Sequence, residues 1–290
     1  MHARVVVVAT IAVFGLGVGL LPTPPAGAAG GDGLVVVAHR GASAYAPENT
    51  LAAVDRAAAM GIGWVENDVQ RTKDGRLVVM HDDTLERTTD VKRVFPHRAP
   101  WRVKDFTAAE IARLDAGRWF GTRYARTRVP TLRQYMERLS RHHQKLVLEI
   151  KSPELYPGIE RDTLKLLADE GWLDAEHLRN RLVVQSFSAA SVRRVHALRP
   201  GIRTAFLGTP KAAELPAYAR FADQINAAYP KLSARYVSAL HAVRGPHGKP
   251  LKVCAWTVNT ANDARRVAGF GVDGIITNAP DVVRAAVSSP

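Results

Sequence analysis

Short apolar runs recur along the chain at 34–38, 64–69, 77–80, 146–150, 182–184, 204–207, 224–227, 253–256 and 274–277. Each is four to eight residues or close to it, the length of a buried strand. Amphipathic stretches lie between most of them, at 50–60, 131–140, 188–198, 212–221, 231–240, 260–270 and 280–287. Gly61 closes the first stretch, Pro130 precedes the second and Pro200 follows the third. Strand and helix in alternation predict a parallel sheet covered by helices. About eight such units in roughly 250 residues is the size of a (β/α)8 barrel. A doubly wound open sheet is the alternative, and periodicity alone does not separate the two.

Two segments depart from this rhythm. Residues 5–21 run VVVVATIAVFGLGVGLL behind Arg4, followed by Pro22, Pro24, Pro25 and Ala26-Gly27-Ala28. A basic start, an apolar middle and a small-residue exit predict a secretory signal peptide over 1–28. The barrel domain is then expected over 29–290, in a secreted, extracellular protein. No cysteine near residue 28 offers a lipid attachment point, and no transmembrane segment is expected after the signal is removed. The second departure is the segment at about 86–130, read as an insertion. Between Lys92 and Arg128 it holds ten Lys and Arg against Asp105, Glu110 and Asp115. Trp101, Phe106, Leu114, Trp119, Phe120 and Tyr124 give it apolar surface to bury.

Composition narrows the chemistry. Cys254 is the only cysteine, which excludes a disulfide framework, a zinc ribbon and an iron–sulfur site. The formal net charge of +13 suits an anionic partner. No nucleic-acid-reading motif accompanies it, so a specific nucleic-acid target is not expected, and no protein partner is implied.

The chemistry-bearing residues gather at strand ends. His39-Arg40-Gly41 follows the first apolar run, where a barrel strand delivers side chains to the mouth. In Trp64-Val65-Glu66-Asn67-Asp68-Val69, alternation puts Glu66 and Asp68 on one face. Two carboxylates on an otherwise apolar strand call for a cation, and hard oxygen donors suit Ca2+ or Mg2+. The turn at 72–75 returns the chain to His81-Asp82-Asp83, and Glu149 and Lys151 share a face at another strand end. Three carboxylates, two histidines and two cations suit metal-assisted attack on a phosphate ester. Glu48-Asn49-Thr50 reads first as a helix cap. Asp82 either orients His81 or caps the next turn, with the cap favoured. Asn67 should face the helix layer, where an amide needs partners. Cys254 reads as an inert buried thiol, and Asp273-Gly274 as a structural turn.

HRG at 39–41, PENT at 47–50, E-x-D at 66–68, TKDG at 72–75 and HD at 81–82 together resemble the signature of the glycerophosphodiester phosphodiesterase family. LDAGRWF, VPTL, LEIKSP, QSF, AWTVN and GVDGIITNAP continue the likeness to about residue 282. The secreted bacterial members are the nearest in kind. The resemblance implies a (β/α)8 TIM-type barrel with a small insertion after the second strand. It also implies metal-dependent hydrolysis of glycerophosphodiesters to glycerol 3-phosphate and an alcohol. His39 and His81 match the general acid/base pair. Glu66, Asp68 and Glu149 match the ligands of one divalent cation, Ca2+ or Mg2+. Arg40 and Lys151 match the phosphate-contacting cations, and Trp256 an aromatic wall beside the glycerol. Small glycerophosphodiesters are the expected substrates, with anionic wall polymers or lipid surfaces as further partners. Two rivals stand beside this: a related barrel enzyme acting on choline phospholipids or lysophospholipids, and a non-catalytic phosphodiester receptor. The intact histidine pair and carboxylate trio speak against the receptor.

Overall fold

Residues 33–288 are described by the computed structural model; the predicted signal peptide lies outside them. All nine apolar runs are strands: β1 (Val35–Ala38), β2 (Trp64–Arg71), β3 (Leu77–Val79), β4 (Lys145–Ile150), β5 (Leu182–Ser186), β6 (Arg203–Leu207), β7 (Gln224–Ala228), β8 (Lys252–Trp256) and β9 (Gly274–Thr277). Eight of them run parallel in the order β1-β9-β8-β7-β6-β5-β4-β2, and a β1–β2 pairing closes the ring. This is the (β/α)8 barrel, and the open-sheet alternative falls. β3 is the exception. It pairs antiparallel with Val69–Arg71 of β2, above the short stretch that β1 covers.

Alternation along each strand sorts the side chains into two layers. Val37, Val147, Val183, Ala205 and Ile276 fill the barrel interior. Ala38, Val65, Val69, Leu146, Leu148 and Ile150 face outward into the helix layer. Gly274 makes room inside, because a Cβ there would lie 2.7 Å from the Cys254 Sγ.

The helices start where the sequence supplies caps. Thr50 accepts from the Ala53 N–H and opens Leu51–Ala59. Thr131 and Gln134 form a reciprocal capping box for Leu132–Arg141, which buries Leu132, Tyr135, Met136 and Leu139. Ser188, Ser233 and Thr260 each accept from the backbone N–H three residues on and so cap Ala189–Leu198, Ala234–His241 and Ala261–Ala268. Two expectations change. The stretch 212–221 is only a 3-10 turn, Ala212–Glu214, followed by the short helix Leu215–Tyr218. An additional helix, Ile159–Asp169, joins β4 to β5. It begins after Gly158 with no side-chain cap and buries Glu160 and Thr163, so neither start signal nor clean periodicity marks it. Among the described residues no helix is long and apolar enough to cross a membrane.

The segment after β3 has its own apolar centre. Val78 and Met80 meet Leu85, Val91, Val103, Phe106, Ile111, Leu114, Ala116 and Val129. Several of its arginines hold it together. Arg98 pairs with Glu110 and stacks 3.9 Å from the Phe106 ring centroid, and Arg128 donates to the carbonyls of Arg113 and Leu114. Among the aromatic residues counted toward that centre, Trp119 instead lies 42% exposed, its ring edge-on to Phe120. Its indole N–H reaches the Ala116 carbonyl, so a surface position leaves no polar group unpaired.

Candidate active site

Glu66, Asp68 and Glu149 point into the barrel at its C-terminal mouth. Parallel register sets Asp68 opposite Glu149, and one oxygen from each of the three lies within 4.8 Å of the others. All three residues are buried. Glu66 Oε1 and Asp68 Oδ1 have no hydrogen-bond partner. Burying bare carboxylate oxygens this close together is costly unless a cation joins them. The donor set is all hard oxygen, which fits a divalent ion.

Burial, followed by the negative charges of Asp68 and Glu149, pushes the Glu66 carboxyl well above its usual range. Burial and then Asp68 raise Glu149 to about 7, against the opposing pull of Lys151. Burial alone would raise Asp68 as well. Arg40, His81 and Lys151 outweigh it, with a hydrogen bond from Asn49 assisting, and hold Asp68 below the ordinary carboxylate value. Lys151 Nζ sits 2.9 Å from Glu149 Oε1 and 3.9 Å from Asp68 Oδ1.

Arg40 lies in a turn that packs against the helix Leu51–Ala59. Its φ is 56° and that of Gly41 is 81°. A Cβ on Gly41 would come within 2.7 Å of the Ala53 carbonyl carbon, so the close approach needs glycine. The turn aims the Arg40 N–H at Glu66 Oε2 (3.0 Å), its Nε at Asp68 Oδ2 (3.3 Å) and its Nη1 at Glu48 Oε1 (2.8 Å). Asn49 Nδ2 donates to Asp68 Oδ2 at 2.8 Å. The PENT segment is therefore more than a cap: Thr50 caps, while Glu48 and Asn49 brace the site.

The two imidazoles are oriented alike. His39 Nδ1–H donates to Asn278 Oδ1 at 2.6 Å, and the same oxygen accepts from Ser43 Oγ at 3.0 Å. His81 Nδ1–H donates to Asp82 Oδ1 at 2.6 Å. A carboxylate only accepts, so the proton is on Nδ1. Asp82 thus orients His81, and the capping alternative falls. With Nδ1 engaged in each ring, Nε2 is left to exchange a proton. His39 Nε2 lies 3.9 Å from Glu66 Oε2. Burial and the neighbouring Arg40 lower the His39 pKa to about 4, so the ring is neutral at physiological pH.

His39, Arg40, Glu66, His81, Glu149 and Trp256 line one cavity of about 80 Å³, completed by Gln185, Phe187, Leu207, Thr257 and Ile276. Lys151 lines the adjoining groove of about 260 Å³ and shares Phe187 and Glu149 with the cavity. Trp256 is fixed by its indole N–H on the Asn226 carbonyl and stands edge-on to Phe187. The structure thus brings every site residue expected from the sequence to one end of the barrel. It adds Gln185, Phe187 and Asn278, which reasoning from charge overlooked. Their signal was parity: each continues the inward-facing face of its strand past Val183 or Ile276.

A parallel barrel whose mouth offers two oriented imidazoles, a buried carboxylate trio and two cations defines a hydrolase for anionic esters. Residues 39–282 match the glycerophosphoryl diester phosphodiesterase family. A glycerophosphodiester phosphodiesterase of Bacillus subtilis is 35% identical, over 94% of this chain and 95% of its own. Another, from Caldanaerobacter subterraneus, is 36% identical over 86% of this chain and 96% of its own. The solved phosphodiesterase of Oleispira antarctica, in complex with the product sn-glycerol-3-phosphate, superposes with a TM-score of 0.71. It is 30% identical and covers 88% of this chain and 97% of its own. The chain belongs to the glycerophosphoryl diester phosphodiesterase family and is a phosphoric diester hydrolase.

Proposed function

We propose that the protein hydrolyses glycerophosphodiesters to glycerol 3-phosphate and an alcohol, with His39 and His81 as the acid/base pair. The observation that carries this reading is the matched pair of imidazoles lining one small cavity, each with Nδ1 tied and Nε2 left to exchange a proton. One imidazole takes the proton of the glycerol hydroxyl next to the ester. That oxygen bonds to phosphorus, the bond from phosphorus to the alcohol breaks, and the other imidazole protonates the leaving oxygen. Water then opens the cyclic phosphate with the proton roles exchanged. Arg40 and Lys151 contact the phosphoryl oxygens, and Trp256 walls the glycerol side.

Glu66, Asp68 and Glu149 would hold one divalent cation, Ca2+ or Mg2+, supported by the unpartnered oxygens of Glu66 and Asp68. When bound, it supplies Lewis-acid polarisation of substrate oxygens. Export through residues 1–28 would place the enzyme outside the cell. There the basic segment after β3 favours anionic wall polymers or lipid surfaces as partners.

The test is glycerol 3-phosphate release from glycerophosphocholine, with cation and with chelator. His39→Ala and His81→Ala should each lower kcat by about 10²- to 10⁴-fold, the usual worth of general acid–base catalysis. Chelation should abolish turnover. Full activity in either variant removes that histidine from the mechanism. Turnover of acylated substrates alone moves the reading to lysophospholipids.

A further inference from the structure

A row of alternating charges runs out of the cavity along its rim. His81 Nδ1–H donates to Asp82 Oδ1. Arg87 then grips Asp82 with two donors, Nε to Oδ2 at 2.7 Å and Nη2 to Oδ1 at 2.9 Å. The far side of the same guanidinium grips Glu48, Nη1 to Oε2 at 2.9 Å and Nη2 to Oε1 at 2.8 Å. Glu48 Oε1 in turn receives Arg40 Nη1 at 2.8 Å. Arg87 therefore joins two carboxylates, and each carboxylate holds a different residue of the site.

We propose that Arg87 is a positioning residue for catalysis. By clamping Asp82 and Glu48 together it fixes the His81 ring and the Arg40 guanidinium in one shared geometry. The role assigned to Arg87 rests on the proposed part of His81 in proton transfer.

Isolated surface ion pairs do little, and Arg87 is 45% exposed. Here both partners are more deeply set, Glu48 at 13% and Asp82 at 28%, and both contacts use two donors of a rigid fork. A lysine ammonium is a single point and cannot reproduce two bidentate contacts. The pull of Arg87 is also the first cause holding the Asp82 carboxyl down at about 2, which keeps Asp82 an acceptor for the Nδ1–H. Without the guanidinium, Asp82 is free to turn toward water and Glu48 keeps only Arg40. The chain that carries Arg87 is itself anchored: Leu85 is fully buried and the Thr88 hydroxyl meets Met80 Sδ at 3.4 Å.

The experiment is a double-mutant cycle on turnover of glycerophosphocholine, read beside the His81 Nδ1–H proton resonance. Arg87→Gln and Asp82→Asn should each lower kcat by about 10- to 100-fold, the range of one hydrogen bond to a charged group. The pair should lose no more than the worse single variant, because both act through one ring. Arg87→Lys should recover only part of the activity and, keeping the charge, serves in its place if Arg87→Gln does not fold. The His81 resonance should shift or broaden in Arg87→Gln. Losses that multiply in the cycle overturn the clamp, as does an unmoved resonance with unchanged kcat. Wild-type protein that turns over no glycerophosphodiester sinks the functional reading instead. The resonance still decides the clamp in that case, since it needs no turnover.

Discussion

Asn67 sits between two site carboxylates yet faces the other way, into the helix layer, where neither atom of its carboxamide finds a partner. An unpaired buried amide costs about 1–3 kcal/mol. Asn67→Leu should therefore raise stability by about 1 kcal/mol or more with kcat unchanged, read as a higher urea midpoint. A lower midpoint would mean that the amide is paired in solution. The titrating groups give a second expectation. His39, at about 4 when folded, binds its proton less readily than in the unfolded chain, so its contribution to stability rises with pH and is complete above the ordinary histidine value of 6.5. Glu149, at about 7, and Glu66 do the reverse. They favour the folded state while protonated and lose that contribution as pH climbs through their raised values. Above pH 6.5 only the carboxylate decline remains. With chelator, the melting temperature should fall between pH 6.5 and pH 8, and Ca2+ or Mg2+ should reverse the fall. A flat profile in chelator would contradict the buried-carboxylate account.

At the scale of elements, the capping box at Thr131 does more than start a helix. Leu132–Arg141 lies against Leu51–Ala59, with Arg138 and His142 both on Asp55, so the cap steadies the helix layer behind β2. Thr131→Ala should cost about 1 kcal/mol of unfolding free energy and leave kcat within twofold, checked by urea titration and assay. Strands were legible because burial on both sheet faces makes each a compact apolar run, and parity then told inward from outward. Glu66, Asp68, Glu149, His39 and Lys151 could be found on that basis alone, being polar or charged where neighbours of the same parity are apolar. Other features needed coordinates. Ile159–Asp169 has no cap and hides Glu160 in its buried face, so its pattern reads as irregular. Nothing in the sequence separates Arg87 from the other arginines of the segment at about 86–130, and only the positions of Glu48 and Asp82 give it a task. Gln185 and Asn278 carry no charge to draw the eye.

For the whole molecule, the excess of positive charge divides into two populations. Arg98, Arg123 and Arg128 hold the segment after β3 to itself and to the Tyr45 carbonyl, whereas the exposed side chains of Arg102 and Arg126 make no hydrogen bond or ion pair among the described residues. Reversing the first group would damage the fold, so the second is the one to change. Arg102→Glu with Arg126→Glu should raise KM for an anionic wall polymer several-fold at low salt and leave KM for glycerophosphocholine near wild type. The difference should shrink as salt is added. Equal effects on both substrates would argue against a polymer-gathering surface.

β1 pairs with β9, and the His39 ring is held by Asn278 just beyond β9. Both carboxylates of β2, His81 and Glu149 precede Asn278 by more than a hundred residues of chain. A polypeptide emerging from the ribosome thus presents His39, His81 and the three carboxylates long before Asn278 arrives to orient the His39 ring. On the proposed His39–His81 mechanism, closure of the ring by the final strand completes the pair, and a chain truncated before Asn278 should show no turnover.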